Sequence, residues 1–136
     1  MTVELSDLKV GDTLPELRVP LTRTLIVATA IASRDYQDVH HDPGLAERRG
    51  SQDIFMNILT SNGFAERYVR EWAGPGAVIT RIKLRLGAPN YPGDTMVCHG
   101  EVIEIGIENR RVVVAVKMVN ALGSHASGQV EVVLAA

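Results

Sequence analysis

Between Asp35 and Asp42 the chain sets three carboxylates and two imidazoles within eight residues: Asp35-Tyr36-Gln37-Asp38-Val39-His40-His41-Asp42, with Pro43 directly after. They stand at the mouth of the apolar run 25–32. An aspartate and a histidine five positions apart, carried on a turn, can converge on one small molecule. Held against an apolar wall, such a pair orients and deprotonates a water. Asp35 and His40 are therefore the candidate catalytic residues. The bland alternative is that Asp35 closes a turn and His40 is a satisfied structural histidine. His41 is expected to point away from Val39's side of the turn, and Asp42 to cap a helix. No metal site is expected, because one short turn seldom supplies three ligands in proper geometry and no second His/Cys cluster follows.

The elements that would carry this turn are well punctuated. Residues 14–21 suggest a short edge strand interrupted by Pro15 and Pro20. The run 25–32 is compatible with strand or helix, and a strand turning into a short helix is favoured. Asp42-Pro43 has the form of an N-cap followed by proline at the first helical position, opening one or two turns that stop at Gly50. A long helix is predicted over residues 53–72, with Ser51 and Asp53 as competing caps. Ile54, Ile58, Ala65, Tyr68, Val69 and Trp72 form its apolar stripe, and Gly74-Pro75-Gly76 ends it.

Beyond residue 77 the period changes to two. Residues 77–86 alternate, with Ile82, Leu84 and Leu86 on the apolar side; segments 95–107, 111–120 and 126–134 complete three or four consecutive antiparallel strands. Tyr91-Pro92-Gly93-Asp94 is a turn. One long helix followed by a meander implies an α+β fold, a curved antiparallel sheet wrapped around a central helix. A single helix covers a sheet poorly, and an exposed sheet edge invites a second chain, so an oligomer is expected.

Composition narrows the rest. With 136 residues, 46% of them hydrophobic, one domain over residues 1–136 can build a core of its own. The net charge of −2 gives no general pull toward nucleic acid or an anionic membrane. Cys98 is the only cysteine, so no internal disulfide forms. Residues 1–13 lack the basic start and apolar stretch of a secretion signal, and no apolar run approaches the roughly 20 residues that span a bilayer. A cytoplasmic location is the expectation. Arg81, Lys83 and Arg85 line one strand face, where they would either meet phosphates or stand solvated.

The turn resembles the signature of the MaoC-like family of hot-dog-fold, (R)-specific enoyl-CoA hydratases, which runs Asp, any, Asn, Pro, aliphatic, His, any, Asp-Pro. The spacing from Asp35 to His40 and the trailing Asp42-Pro43 match, while Gln37-Asp38 replaces Asn-Pro. Met56-Asn57 stands where the family often carries His-Gly. Both departures are similar to those of the small subunits of heteromeric hydratases acting on steroid side chains. The matching blocks are residues 34–42, 50–60, 67–76 and 84–94.

The resemblance implies a single hot-dog domain that adds water to a trans-2-enoyl thioester to give a 3-hydroxyacyl-CoA, and it points to a steroid side-chain enoyl-CoA as substrate. Asp35 and His40 would hold the water and the Asn57 backbone N–H would bind the thioester oxygen. It implies no separate cofactor, coenzyme A being part of the substrate. It further implies a larger homologous MaoC-like subunit as partner, in an α2β2 assembly, or else a homodimer. Two other readings stay open: a hot-dog acyl-CoA thioesterase that depends on Asp53, and a non-catalytic subunit that completes a partner's fold. Asp53 is more simply a helix cap.

Overall fold

The computed structural model describes residues 2–136; Met1, the first residue of the stretch read for a leader, lies outside the described residues. Most of the helical turns precede the body of the sheet, beginning with a single turn at Leu5–Asp7. Strand β1 (Thr13–Pro20) leads into α1 (Arg23–Ala32), a single-turn helix follows at Asp38–His40, and then come α2 (Pro43–Arg48) and the long α3 (Ile58–Ala73). Strands β2 (Val78–Leu86), β3 (Thr95–Gly106), β4 (Arg111–Asn120) and β5 (Gly123–Val133) complete the chain. Every pairing is antiparallel and the strand order is β1-β3-β4-β5-β2. Among the described residues no helix is long and apolar enough to cross a membrane.

The sheet curls around α3, the hot-dog arrangement. Leu17, Cys98, Met118, Ala126 and Leu86 lie in register across all five strands. On the helix, Phe64, Ala65, Tyr68, Val69 and Ala73 are buried in the same apolar core as Cys98 and Met118. That helix ends at Gly74, whose φ of 91° a side chain would resist. Burial pushes the Cys98 thiol up to about 11, so it is packing and not a nucleophile at neutral pH.

Three expectations need correction. The run 25–32 contains no strand: α1 is helical throughout, because the Thr22 hydroxyl accepts from Leu25 N at 3.0 Å and caps it. An unbroken apolar run carries no period by which to tell the two apart.

The long helix starts at Ile58, five residues later than Asp53, because residues 54–57 lie outside any helix and the backbone of 55 and 56 bonds to other segments. Phe55 N–H donates to Val39 O and Met56 N–H to Asn90 O, both at 3.1 Å. Asp53 therefore caps nothing in α3, and Ile58 is 54% exposed rather than part of the buried stripe. Ile54 is fully buried, but in the non-helical segment before α3.

The third correction concerns the meander. Strands β3, β4 and β5 form one, but β2 pairs with β5 and lies at the far edge. Its outward Arg81, Lys83 and Arg85 are exposed, as suits an edge strand. Ile82 and Leu84 face the core as expected, whereas Leu86 is 40% exposed at the strand's end.

Candidate active site

Asp35 is placed by the way α1 stops. Arg34 N–H donates to Ile31 O at 3.0 Å and Asp35 N–H to Ala30 O at 2.9 Å, the paired bonds of a Schellman termination. Arg34 occupies the left-handed position at φ 56°, where glycine is usual. Such a conformation costs a non-glycine residue of order 1 kcal/mol or more. It turns the Asp35 carboxylate back toward α3 and the 38–40 turn.

His40 is placed by its own ring and by a clamp on its turn. Asp38 accepts from Arg49 Nε at 2.7 Å and Nη2 at 2.9 Å, tying the turn to the end of α2. This guanidinium holds the Asp38 carboxyl below its ordinary range. The buried His40 ring puts Nδ1 2.6 Å from the Phe55 carbonyl oxygen and meets the Phe55 ring edge-on at 4.9 Å. Its Nε2 lies 3.5 Å from Asp35 Oδ2. The two side chains that the sequence singled out thus converge.

They open into a cleft of about 370 Å³ whose walls include Gln37, Phe55, Met56, Ile58, Leu86, Pro89 and His125. One end carries the acid and the imidazole; the remainder is mainly apolar. The N-terminal turn of α3 reaches this cleft at Ile58, with no acidic residue in that turn to offset the helix dipole.

Asn57 itself is 1% exposed. Its side chain does not cap α3. Nδ2 donates instead to Ser33 Oγ at 2.9 Å and to Asp35 Oδ2 at 3.2 Å, while Oδ1 accepts from the Thr60 hydroxyl. Residue typing singled out the Asn57 backbone but missed the side chain, whose target lies 22 positions away. His125 was missed as well. It lies buried in the wall of the cleft, with Nδ1 donating to Ala88 O at 2.7 Å and Nε2 accepting from Ser61 Oγ at 2.8 Å. Burial lowers its proton affinity, and with both nitrogens engaged it serves as a neutral wall.

The remaining candidates stand elsewhere. His41 is exposed. Asp42 caps α2 by accepting from Leu45 N–H at 3.0 Å, as expected. Asp53 accepts from Arg23 Nη2 and from Ile54 N–H, each at 2.7 Å, and does not line the cleft. Among the described residues no group of three or more His, Cys, Asp or Glu side chains could hold a metal ion.

A model of the MaoC-like domain matches residues 9–122. The chain belongs to the MaoC-like domain family. Within it, the chain is 49% identical over 122 residues to the 3-oxo-4,17-pregnadiene-20-carboxyl-CoA hydratase beta subunit of Mycobacterium tuberculosis, covering 90% of this chain and 93% of that one. A chain of the crystallised ChsH1–ChsH2 complex of M. tuberculosis superposes with a TM-score of 0.90 at 47% identity, over 93% of this chain and 98% of that one. The (R)-hydratase of A. caviae involved in PHA biosynthesis gives 0.83 at 20% identity, over 95% and 98% of the two chains, and shares the fold. The MaoC-like chain described here is thus a homologue of a steroid side-chain hydratase subunit.

Proposed function

We propose that this chain is the water-activating subunit of an enoyl-CoA hydratase. The observation that carries the reading is the facing pair, Asp35 Oδ2 and His40 Nε2, 3.5 Å apart at the polar end of an apolar cleft. The Phe55 carbonyl is an acceptor only, so His40 Nδ1 must carry a proton, and in the neutral ring Nε2 presents a lone pair. A neutral imidazole and a carboxylate then offer two acceptors to one water. The water donates a hydrogen to each, and its oxygen lone pairs face the cleft.

The reaction balances on these groups. As the water oxygen bonds to the β-carbon of the enoyl thioester, its proton passes to Asp35 or His40 and the π electrons move onto the thioester oxygen. The enolate collapses by taking a proton at the α-carbon, returned from the same pair, leaving a 3-hydroxyacyl-CoA. The Asn57 backbone N–H, aided by the positive end of α3, would hold the enolate oxygen. No separate cofactor is required.

The substrate reading draws on the M. tuberculosis relative, whose name specifies a C20 carboxyl-CoA on a pregnadiene skeleton. A steroid side-chain enoyl-CoA is the corresponding substrate here. Ile58 and Leu86 leave the cleft's apolar wall exposed, at 54% and 40%. A larger homologous subunit would close that wall and complete the coenzyme A site, as expected of a hetero-oligomer; the ChsH1–ChsH2 complex supports this. The thioesterase alternative finds little support, since Asp53 is paired with Arg23.

The test uses the chain purified with its larger MaoC-like partner, following loss of enoyl-thioester absorbance. Asp35→Asn and His40→Ala should each lower kcat by about 10²–10⁴ with the assembly intact by size and Tm, and Asp53→Asn should leave it nearly unchanged. Full turnover by the first two variants would leave this chain a structural subunit.

A further inference from the structure

We infer that the Asn57 side chain is a positioning residue for Asp35, set in its working orientation by Thr60 and Ser33. The inference rests on the water-activation reading above and adds a residue to it. Asn57 occupies the N-cap of α3, where an asparagine oxygen ordinarily accepts a backbone N–H of the first turn and stabilises the helix by about 1 kcal/mol. That bond is not made. The amide is spent instead on a buried chain of hydrogen bonds running from α3 to α1.

The polarity of the chain is fixed at both ends. The Ser33 hydroxyl donates to Thr29 O at 2.7 Å, so its oxygen is left to accept from Asn57 Nδ2. Asp35 as a carboxylate only accepts, so it too requires Nδ2. Thr60 then supplies its hydroxyl hydrogen to Oδ1. A flipped amide would turn its oxygen on the carboxylate and lose the Ser33 bond as well.

The oxygen thus held is the one that faces His40. Oδ2 lies 3.2 Å from Asn57 Nδ2 and 3.5 Å from His40 Nε2, while Oδ1 accepts from Gln37 N–H at 3.3 Å. Each carboxylate oxygen therefore has its own donor, which fixes the rotation of the group. One lone pair of Oδ2 is left to take the water's hydrogen in a set direction. Proximity effects depend on such orientation, and small misplacements are costly in rate.

The test again uses the assembled complex. Asn57→Ala keeps the backbone N–H but deletes the amide, and should lower kcat roughly 10–100-fold, the scale of one hydrogen bond to a charged group, with KM within about twofold. In an Asp35→Asn background the same deletion should cost less than about twofold more, because the two residues act as a unit. Losses that multiply in full would mark a general structural role and overturn the inference, as would an Asn57→Ala variant with parental kcat. Thr60→Val, which releases the amide without emptying its site, should lower kcat about three- to tenfold. It decides the matter by the same criterion if Asn57→Ala fails to assemble. Parental turnover by Asp35→Asn alone would overturn the water-activation reading itself, an outcome separable from any failure of Asn57.

Discussion

The imidazole of His40 holds its Nδ1 2.6 Å from the carbonyl oxygen of Phe55, fifteen residues along the chain. That contact commits one ring nitrogen to donation, so that in the neutral imidazole the other, aimed at Asp35, is the acceptor. The non-helical segment before α3 is what brings the Phe55 carbonyl there, through Phe55 N–H to Val39 O and Met56 N–H to Asn90 O. The late start of the helix and the chemistry of the site are one structural fact.

This arrangement specifies a tautomer. Nitrogen NMR of the labelled complex should show the neutral form of His40 protonated at Nδ1 and bare at Nε2. Dominance of the Nε2–H form would remove the two-acceptor cradle for water.

His125 makes stability depend on pH. Burial holds its imidazole below the ordinary value near 6.5 that it regains on unfolding. The unfolded chain therefore binds the proton first, so this contribution is full above about pH 6.5 and is lost as pH falls toward the lower folded value. Tm should decline through that window, and His125→Gln should flatten part of the decline. An identical slope in parent and variant would exclude His125 as the cause.

Gly128 faces Leu84 where β5 pairs with β2. A Cβ built there would lie 1.8 Å from the Lys83 carbonyl oxygen, a backbone atom that cannot swing aside. Gly128→Ala should destabilise the fold by about 2–3 kcal/mol, seen as a lower Tm. Accelerated hydrogen exchange should accompany it along Val78–Leu86, because that edge strand pairs only with β5. A Tm equal to the parent's would show that the strands separate at no cost.

The chain's local chemistry announced much of this. The Asp35–His40 spacing, the Asp42-Pro43 helix start, the Gly74 stop and the two-residue alternation of Ile82 and Leu84 are written in short stretches, because caps, turns and strand faces depend on neighbours a few residues apart. What lay beyond reach were relations between distant segments. Whether residues 25–32 would be strand or helix depended on burial and the Thr22 cap, and the start of α3 on hydrogen bonds from residues 55 and 56 to Val39 and Asn90. The placement of β2 beside β5, the buried His125–Ser61 pair and the Asn57 amide on Asp35 arise only when the sheet closes on the helix. The sequence alone determined which groups could handle a proton and roughly where the chain would turn. The tertiary structure decided which nitrogen of His40 is free and which oxygen of Asp35 it faces, since hydrogen-bond direction is imposed by partners that only folding brings near.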